Sequence, residues 1–503
     1  MVDVASDVKR QRDDVVQETS TKQEDQVRAT ECLGLLQRMG NREHRRKLLQ
    51  SWLITLSFFS MGLTIGQVGT TLIDLQLITG TNLEGASAFI TALTAGDMIG
   101  AFISGAVFNK VNTLLLMFIS LMGMGVTTII SPYMSSYPLM IFVRVLCGTC
   151  EGIIAATGNA CQMKMWRNQA KVMMQTMHFA VSLGGVIVPL YTEPFLAKRI
   201  MYTESGTSNV TTGNASGVSP TSRFSDTNVY YAFLISGVIL LLTSVPLVVL
   251  FIKQRSPTIQ TNSEKNTNVQ ITHRKLPCFL HLFMLTNICL MFLFYCCAEL
   301  TFSSFLMSFL VNEFDSLTTS ESLYITTALW ASFALSRFIM IFVSKVISSL
   351  QLLSLCVLVM LVAYIGFFIS VVLKSITAIV VFTSMAGLGL SSIFPAGYSW
   401  VETDLLKVTP RVSSSIMITG SGGRIIIPVI MGFLMDQVSN WWFCYTVLGT
   451  TVLVCLIFIF LYFLNKLFLN KVYGPIILIE TLDIDNEQDQ LLIKRQKKDQ
   501  VIL

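Results

Sequence analysis

The sequence predicts an all-α polytopic membrane protein, with twelve transmembrane helices arranged as two six-helix lobes. Its 503 residues are 52% apolar and only 13% charged, against about 25% charged in soluble domains. Apolar segments long enough to cross a bilayer recur between residues 51 and 465. A short motif is repeated in the fifth and eleventh of these segments, which indicates two related halves. A soluble globular protein is therefore excluded.

Each predicted span is close to the length of about twenty residues that a bilayer demands. The spans are 51–73, 86–108, 113–131, 137–160, 173–195, 229–252, 279–311, 321–344, 350–373, 376–400, 412–435 and 442–465. The predicted organisation is an N-terminal tail at 1–50, a first lobe at 51–252, a linker at 253–278, a second lobe at 279–465 and a C-terminal tail at 466–503.

The distribution of basic residues predicts that both tails lie in the cytoplasm. A basic cluster from Arg42 to Lys47 directly precedes the first span. With the N-terminus inside, about twelve basic residues fall in the inner loops and about four in the outer loops, and positive charge favours the inner side. Residues 1–50 lack the early apolar core of a signal peptide, so we expect a tail rather than a removed leader. The expected location is the plasma membrane.

The longest predicted outer loop carries two glycosylation signals. It runs from 196 to 228, is rich in glycine, serine and threonine, and contains sequons at Asn209 and Asn214. We expect both asparagines to be glycosylated, because a sequon is used where it is exposed outside the cell.

Both tails contain a pattern typical of sorting signals, an acidic residue four positions before a dileucine. The residues are Glu31, Leu35 and Leu36 in the N-terminal tail and Glu487, Leu491 and Leu492 in the C-terminal tail. The pattern predicts endosomal cycling, although the N-terminal leucines also fit a short amphipathic helix.

The two halves of the chain share a motif in register. Residues 182–189 in the fifth span and 421–428 in the eleventh carry serine, glycine and proline at one constant offset. Lys110-Val111 and Lys345-Val346 recur at nearly the same offset. Chance similarity between apolar segments is the weaker explanation, because both glycine and proline keep the register. Such internal repeats are typical of secondary transporters, whose two lobes rock about a site at the membrane midplane.

Six ionisable residues lie within predicted spans, three acidic and three basic. They are Asp97, Arg144, Glu151, Glu299, Arg337 and Arg424. Because a charge at the middle of a bilayer costs about 3 kcal/mol or more, we expect these side chains to face an aqueous cavity or one another. The alternative is that some of them, Asp97 and Arg337 in particular, pair only to hold helices together.

Glu299 and Arg424 carry the most specific of these hypotheses. Arg424 occupies the position that Gly185 holds in the first half, so a cation replaces a residue suited to close packing. Glu299 has no cation beside it in the sequence, and a carboxylate there can bind sodium or a proton. We expect Glu299 to pair with Arg424 and to exchange that partner for an incoming cation during transport. The alternative is a static salt bridge.

Other classes of function have little support in the sequence. The net charge of +5 is spread over tails and short loops, without the basic stripe of a nucleic-acid binder. Most of the 11 cysteines lie in apolar segments and the four histidines are scattered, so we expect no metal site. Neither a nucleophile with its base nor a phosphate-binding loop is visible. We therefore expect no enzyme and no cofactor beyond a co-transported cation.

Two motifs resemble those of the major facilitator superfamily. Residues 144–152 place an arginine and two glycines four positions apart on one helix face, as in the Arg-x-x-x-Gly-x-x-x-Gly motif of span four in that superfamily. Residues 105–110 look like a degraded form of its Gly-x-x-x-Asp-Arg loop. Here Asn109 replaces the aspartate and Lys110 the arginine, so the usual charge relay of that loop is altered.

Five further segments carry a closer resemblance. They are Thr71–Leu75, Cys297–Glu299, Trp330–Phe338, Gly387–Pro395 and Gly432–Asp436. Together they resemble the sodium-dependent glucose transporter 1 family, the group called major facilitator domain-containing protein 4, and more distantly the fucose permeases. The resemblance covers nearly the whole membrane region, 51–465. It implies a plasma-membrane carrier for a hexose, coupled to sodium or another cation.

A sugar site needs neutral hydrogen-bonding groups and aromatic faces. The spans offer Gln67, Asn159, Gln162, Asn287, Trp330 and Tyr398. Asn159 is the first choice, because the glycine before it leaves its amide room to reach a cavity. The alternative for each of these residues is a hydrogen bond between helices.

These observations predict a secondary active transporter of a small polar organic solute that works by alternating access, with a hexose and sodium coupling as the leading expectation. The alternatives are a proton-coupled or uncoupled carrier of another organic solute, and a membrane sensor or scaffold that binds without turnover. We expect a monomer whose partners are its small-molecule substrate and the lipid bilayer.

Overall fold

The computed structural model describes residues 42–108, 110–166, 170–201, 222–253, 269–272, 277–343, 346–474 and 477–480. Several predicted features lie outside the described residues. They are the glycosylation sites Asn209 and Asn214, the sorting residues of both tails (Glu31, Leu35, Leu36, Glu487, Leu491 and Leu492), Asn109, and most of the linker 253–278. These remain predictions.

Among the described residues, twelve helices are long and apolar enough to cross a membrane, which confirms the predicted number. They are α1 (Arg42–Thr70), α2 (Leu83–Val107), α3 (Thr113–Ile130), α4 (Tyr137–Trp166), α5 (Ala170–Thr192), α6 (Tyr230–Lys253), α7 (Cys278–Glu313), α8 (Thr319–Val343), α9 (Ser349–Val372), α10 (Ile376–Trp400), α11 (Pro410–Phe433) and α12 (Trp442–Phe463).

The observed helices differ from the predicted spans mainly at two ends. Helix α1 begins at Arg42 instead of 51, and α4 ends at Trp166 instead of 160. A helix can continue past the apolar core of a bilayer, because its backbone groups bond within the helix whether or not lipid surrounds them. Hydropathy therefore locates the span but underestimates the helix.

The remaining elements are short. A helix at Leu72–Thr79 follows α1, and another at Asn470–Tyr473 follows a π-helical turn after α12. Strands β1 (Arg199–Met201) and β2 (Ser222–Phe224) pair antiparallel at the two ends of the predicted outer loop. Strands β3 (Val269–Thr272) and β4 (Ile477–Glu480) also pair antiparallel. The sequence analysis predicted neither of these small sheets.

By its contacts the chain divides between Thr55 and Leu56, and the packing described here is that of the residues from Leu56 onward. In the first half, α2 packs on α4, and α3 packs on both α4 and α6. In the second half, α8 packs on α10, and α9 packs on both α10 and α12. The same pattern of neighbours therefore occurs twice, as the registered motif predicts.

Helices α5 and α11, which carry the repeated motif, occupy equivalent positions. Helix α5 packs against α8 and against α1, where the backbone of Gly184 meets that of Gly62. Helix α11 packs against α2 and α7. Since α7 and α8 repeat α1 and α2, the neighbours of α11 match those of α5, and the predicted equivalence of these two helices is confirmed.

Helices α2 and α4 approach each other closely at two glycines of α4. A Cβ atom added to Gly148 would collide with the backbone carbonyl of Leu93, and one added to Gly152 would collide with that of Asp97. Small residues permit this spacing between membrane helices. The contact sets the backbone of Asp97 directly against the α4 turn that bears Glu151.

Candidate functional site

A salt bridge joins α7 and α11. One terminal nitrogen of the Arg424 guanidinium donates to Glu299 Oε2 at 2.8 Å, so the pair that the sequence analysis predicted is present. The side chain of Arg424 is 40% exposed and that of Glu299 is 18% exposed. Neither side chain is therefore sealed inside the helix bundle.

Tyr295 is the second partner of Glu299. Its hydroxyl lies 3.1 Å from Glu299 Oε1 and 2.9 Å from the backbone carbonyl oxygen of Leu390 on α10. Sequence analysis missed this residue. The signal that could have found it is its spacing of four residues from Glu299, which places two side chains on the same face of a helix.

Two threonines of α2 contact the backbone of α11 at and next to Arg424. Thr91 donates its hydroxyl to the carbonyl of Ile425 at 3.0 Å, and Thr94 lies within hydrogen-bond distance of the carbonyl of Arg424 at 3.2 Å. These contacts position the Arg424 backbone between α2 and α7. Sequence analysis did not identify either threonine.

Arg424 also acts on the two acidic residues of the first half. Its charge interacts electrostatically with Asp97 on α2 and with Glu151 on α4, and these two carboxylates also act on each other. The predicted charge network therefore extends from Glu299 through Arg424 to Asp97 and Glu151. Within the described part of the chain, Glu151 Oε2 is buried without a hydrogen-bond partner.

The other two predicted cations are buried against aromatic rings. Arg144 lies 5.6 Å from the ring centre of Phe233, and Arg337 lies 5.0 Å from that of Phe333. In both residues Nε is buried and has no hydrogen-bond partner among the residues described. A cation over a ring face is stabilised by the ring quadrupole. Unlike Arg424, these arginines are almost fully buried. Each interacts electrostatically with an acidic residue of the predicted set, Arg144 with Glu151 and Arg337 with Glu299.

Two of the predicted sugar ligands keep unpaired amide atoms. Gln67 on α1 is 1% exposed, and neither its Oε1 nor its Nε2 has a hydrogen-bond partner in the described part of the structure. Asn159 on α4 is partly buried, and its Oδ1 is likewise unpaired there. A buried unpaired polar atom is costly, so both amides are suited to a ligand that arrives from elsewhere.

The other four predicted sugar ligands are already engaged. Gln162 is fully buried and has interactions of its own. Asn287 donates to the carbonyl of Phe283 in its own helix at 2.8 Å. Tyr398 donates to Ser413 on α11 at 2.8 Å, the interhelical bond that was its alternative explanation. Trp330 lies over Gly185, where a Cβ atom would stand 2.7 Å from a ring carbon of the indole.

The match to known proteins covers most of these helices. Residues 51–426 match the Major Facilitator Superfamily. This chain belongs to that family. It is a multi-pass membrane transporter whose substrate is a small molecule.

Several curated major facilitator proteins are similar to this one. Sodium-dependent glucose transporter 1A of Mus musculus is 25% identical over 410 residues, 80% of this chain and 93% of the relative. Sodium-dependent glucose transporter 1 of Homo sapiens is 25% identical over 408 residues, 80% and 76% of the two chains. Major facilitator superfamily domain-containing protein 4A of Mus musculus is 24% identical over 474 residues, 82% and 91% of the two chains. The family resemblance drawn from the motifs is thus confirmed.

Polar contacts join the two halves of this major facilitator protein at the helix ends that the predicted topology places outside. Asn82, before α2, donates to Asp436 after α11 at 2.6 Å. Ser320, at the start of α8, donates to Glu193 after α5. The two contacts occupy equivalent places in the repeat, and each uses a carboxylate that follows the motif-bearing helix.

Asp74 links the described ends of the segment between α5 and α6 to the short helix after α1. It is 1% exposed and accepts hydrogen bonds from the backbone N–H of Ala197 at 2.8 Å and from the hydroxyl of Thr227 at 2.5 Å. Burial raises the pKa of Asp74 from 3.8 to about 6, and these two hydrogen bonds act in the opposite direction. Asp74 lies outside the membrane-spanning helices.

Across the described ranges, no group of three or more histidine, cysteine, aspartate or glutamate side chains is arranged to hold a metal ion. The ten cysteines in those ranges are free thiols, and most are buried in the helices. The buried ones pack as small core residues.

Proposed function

We propose that this major facilitator protein is a cation-coupled carrier of a small polar organic solute, with a hexose as the substrate class, that works by alternating access. The observation that carries this proposal is the salt bridge between Glu299 and Arg424, both of which keep part of their side chain exposed. In the equivalent position of the first half stands Gly185, with no charge. Two of the similar proteins are sodium-dependent glucose transporters by name.

The geometry of the pair supports a role in coupling. An arginine left alone at this depth costs several kcal/mol, so Arg424 needs an anion in every state of the cycle. Glu299 meets that need when its carboxylate is ionised and free of another cation. When an incoming cation takes Glu299, Arg424 must turn to another anion, and Asp97 and Glu151 are within its electrostatic reach. Cation binding would then change which helices are held together.

Substrate recognition in this proposal falls chiefly to Asn159. Its unpaired Oδ1 can accept a hydrogen bond from a sugar hydroxyl, and the position is on α4, the helix that also carries Glu151. Gln67 offers two unpaired amide atoms but is 1% exposed, so a substrate reaches it only after the surrounding helices move. Trp330 offers a ring face once it separates from Gly185.

The proposed setting is the plasma membrane, with both tails in the cytoplasm and Asn209 and Asn214 glycosylated outside. Endosomal cycling through the leucine pairs of the tails, and function as a monomer, are part of the same proposal. On this topology, the contacts of Asp436 and Glu193 hold the outer ends of the two halves together. Alternating access requires both contacts to break.

The first test measures labelled D-glucose uptake in proteoliposomes containing the full-length protein, with and without a cation gradient. Replacing Glu299 by Gln keeps the shape and removes the charge, so we expect loss of ion-driven accumulation while exchange of labelled for unlabelled sugar continues. The matched control is Glu313→Gln on the same helix, whose carboxylate accepts a hydrogen bond from Asn440 outside the charge network. The control should accumulate sugar like the wild type.

The outcomes separate the alternatives. Accumulation against a gradient by the Glu299→Gln variant contradicts the coupling role of Glu299. Equilibration without accumulation by the wild type indicates an uncoupled carrier. Binding of sugar without any flux indicates a sensor or scaffold.

A further inference from the structure

The hydroxyl of Tyr295 has one hydrogen but two acceptors within reach, Glu299 Oε1 and the carbonyl oxygen of Leu390. We propose that Tyr295 is a positioning residue that allows Glu299 to accept and release a proton, and that the proton is the coupling ion of this carrier. This inference rests on the proposed function and names the ion that the proposed function leaves open.

Both oxygens of the Glu299 carboxylate already face donors. Oε1 faces the hydroxyl of Tyr295, and Oε2 faces the guanidinium of Arg424. A hard metal cation needs several oxygen ligands at once, whereas Glu299 Oε1 and the Leu390 carbonyl oxygen share the single hydrogen of the Tyr295 hydroxyl. A proton needs only one lone pair. The surroundings of Glu299 therefore suit a proton better than a metal ion.

Tyr295 can satisfy Glu299 in both protonation states. When Glu299 is ionised, the tyrosine O–H donates to Oε1. When a proton from the aqueous space binds to Oε1, the new carboxylic O–H can donate to the tyrosine oxygen, and the tyrosine O–H turns to the Leu390 carbonyl. Each hydrogen keeps an acceptor, so neither state leaves a buried donor unpaired. Release of the proton on the other side reverses the step.

Protonation of Glu299 removes the charge that holds Arg424. An arginine in a protein stays protonated, so its charge must be answered elsewhere. Arg424 already acts on Asp97 and Glu151. We expect the guanidinium to move its main interaction from α7 toward α2 and α4. A proton on one carboxylate would in this way change the balance of forces between the two halves.

The groups that act on Glu299 come from four helices. On α7 itself they are Tyr295 and Cys296, on α8 Arg337, on α9 Tyr364, and on α11 Arg424. Of these, only the two arginines carry a full charge at neutral pH. Neither is an anion that could share a metal cation with Glu299, which agrees with a site for a proton.

The test compares driving forces in proteoliposomes that hold the full-length protein. Labelled D-glucose is supplied under an inward proton gradient or an inward sodium gradient, and exchange of labelled sugar is measured across pH. We expect the proton gradient alone to drive accumulation. In the Tyr295→Phe variant, accumulation should fall about ten-fold. The midpoint of the pH profile of exchange should rise by about one pH unit, because the hydrogen bond to the ionised carboxylate is stronger than the one to the neutral acid.

The matched control is Tyr191→Phe, which also removes a tyrosine hydroxyl from an interhelical hydrogen bond, here the 2.5 Å contact of α5 with Ser236 on α6. Its pH profile should stay at the wild-type midpoint. A simple structural role for Tyr295 would lower accumulation without moving the profile, and that result would overturn the inference.

Two results separate this inference from the proposed function. If the wild type exchanges D-glucose but accumulates it only under a sodium gradient, the proposed function stands and the proton is excluded as the coupling ion. If D-glucose is not exchanged at all, hexose transport is excluded, and infrared difference spectra between acidic and neutral pH still test the inference. We expect the C=O band of a protonated carboxylic acid that is lost in Glu299→Gln and displaced in Tyr295→Phe. Identical spectra in all three proteins would overturn the inference.

Discussion

Helices α5 and α11 share serine, glycine and proline positions and have equivalent neighbours, yet they differ at the position that follows the shared glycine. In α5, Gly185 lies beneath the indole of Trp330, with no room for a side chain. In α11, the equivalent Arg424 reaches across to Glu299 at 2.8 Å and remains 40% exposed. One position of the repeat is thus filled by packing in the first half and by charge in the second.

This difference shows that the two halves share a backbone arrangement but differ in the side chains that fill equivalent positions. Equivalent backbones place both positions at contacts between helices, so neither can be changed without affecting a neighbour. The ion pair between α7 and α11 gives the second half a contact whose strength depends on protonation or on a bound cation. The contact at Gly185 has no such dependence. We therefore expect ion sensitivity to reside in the second half and rigid packing in the first.

The largest effect should come from making α11 resemble α5. In the Arg424→Gly variant, Glu299 loses its cation, and we expect loss of gradient-driven accumulation together with a cost of about 1–3 kcal/mol, less than for a fully buried pair because both groups are partly exposed. Uptake in proteoliposomes and the thermal unfolding midpoint in detergent measure the two effects. The double variant Glu299→Gln with Arg424→Gly should recover much of the stability and none of the accumulation. If either variant accumulates sugar as well as the wild type does, the expected functional difference between the two halves is contradicted.

The outer ends of α1 and α7 permit a second comparison of the halves. Buried Asp74 follows α1, and the less buried Glu313 ends α7. The pKa of Asp74 rises from 3.8 to about 6 in the folded protein, so between pH 4 and pH 6 the folded protein holds a proton that the unfolded chain has released. The contribution of Asp74 to the free energy of unfolding must therefore fall as the pH rises through that range.

Asp74→Asn should remove this dependence on pH. The amide oxygen can still accept from Ala197 and Thr227, while the charge is absent. At pH 7 we expect the variant to be more stable than the wild type by up to about 3 kcal/mol, since one pKa unit corresponds to about 1.4 kcal/mol. Unfolding midpoints between pH 4 and pH 8 measure the effect, with Glu313→Gln as the control. This account would be contradicted if the free energy of unfolding of the wild type increased from pH 4 to pH 6 by as much as it is expected to decrease.

Effects on stability alone should come from adding a single methyl group to one glycine in each of the two repeated segments. Gly185→Ala places a Cβ atom 2.7 Å from the Trp330 ring, and we expect a loss of about 1–3 kcal/mol from overpacking. Gly422→Ala on α11 meets no atom within 4 Å, so we expect a gain of up to about 1 kcal/mol from the better helix propensity of alanine. Equal unfolding midpoints for the two variants would show that the indole moves freely.

Much of the charge network could be predicted from the sequence, whereas its supporting partners could not. A charge within an apolar span must find a partner, so Glu299 and Arg424 could be paired by counting charges and comparing the repeats. Tyr295 shares a helix face with Glu299, but its other acceptor, Leu390, lies 95 residues away along the chain. Thr91 and Thr94 look like ordinary small residues of a membrane helix until α11 is placed beside them.

The candidate sugar ligands show the same limit. Composition identifies Trp330 and Tyr398 as groups able to contact a sugar. Packing decides that Trp330 covers Gly185 and that Tyr398 is bonded to Ser413. Gln67 and Asn159 resemble the other polar residues in sequence, and only their unpaired buried atoms distinguish them.

The sequence by itself determined the twelve spans, the two-fold repeat and the identity of the charged residues, because bilayer thickness and the cost of a buried charge act on local segments whatever their neighbours. The tertiary structure alone decided which polar groups are satisfied, which charges are partly exposed, and that Asp74 is buried against Ala197 and Thr227 between α5 and α6. Those properties depend on contacts between residues far apart in the chain, where a shift of a few ångströms decides whether a hydrogen bond exists.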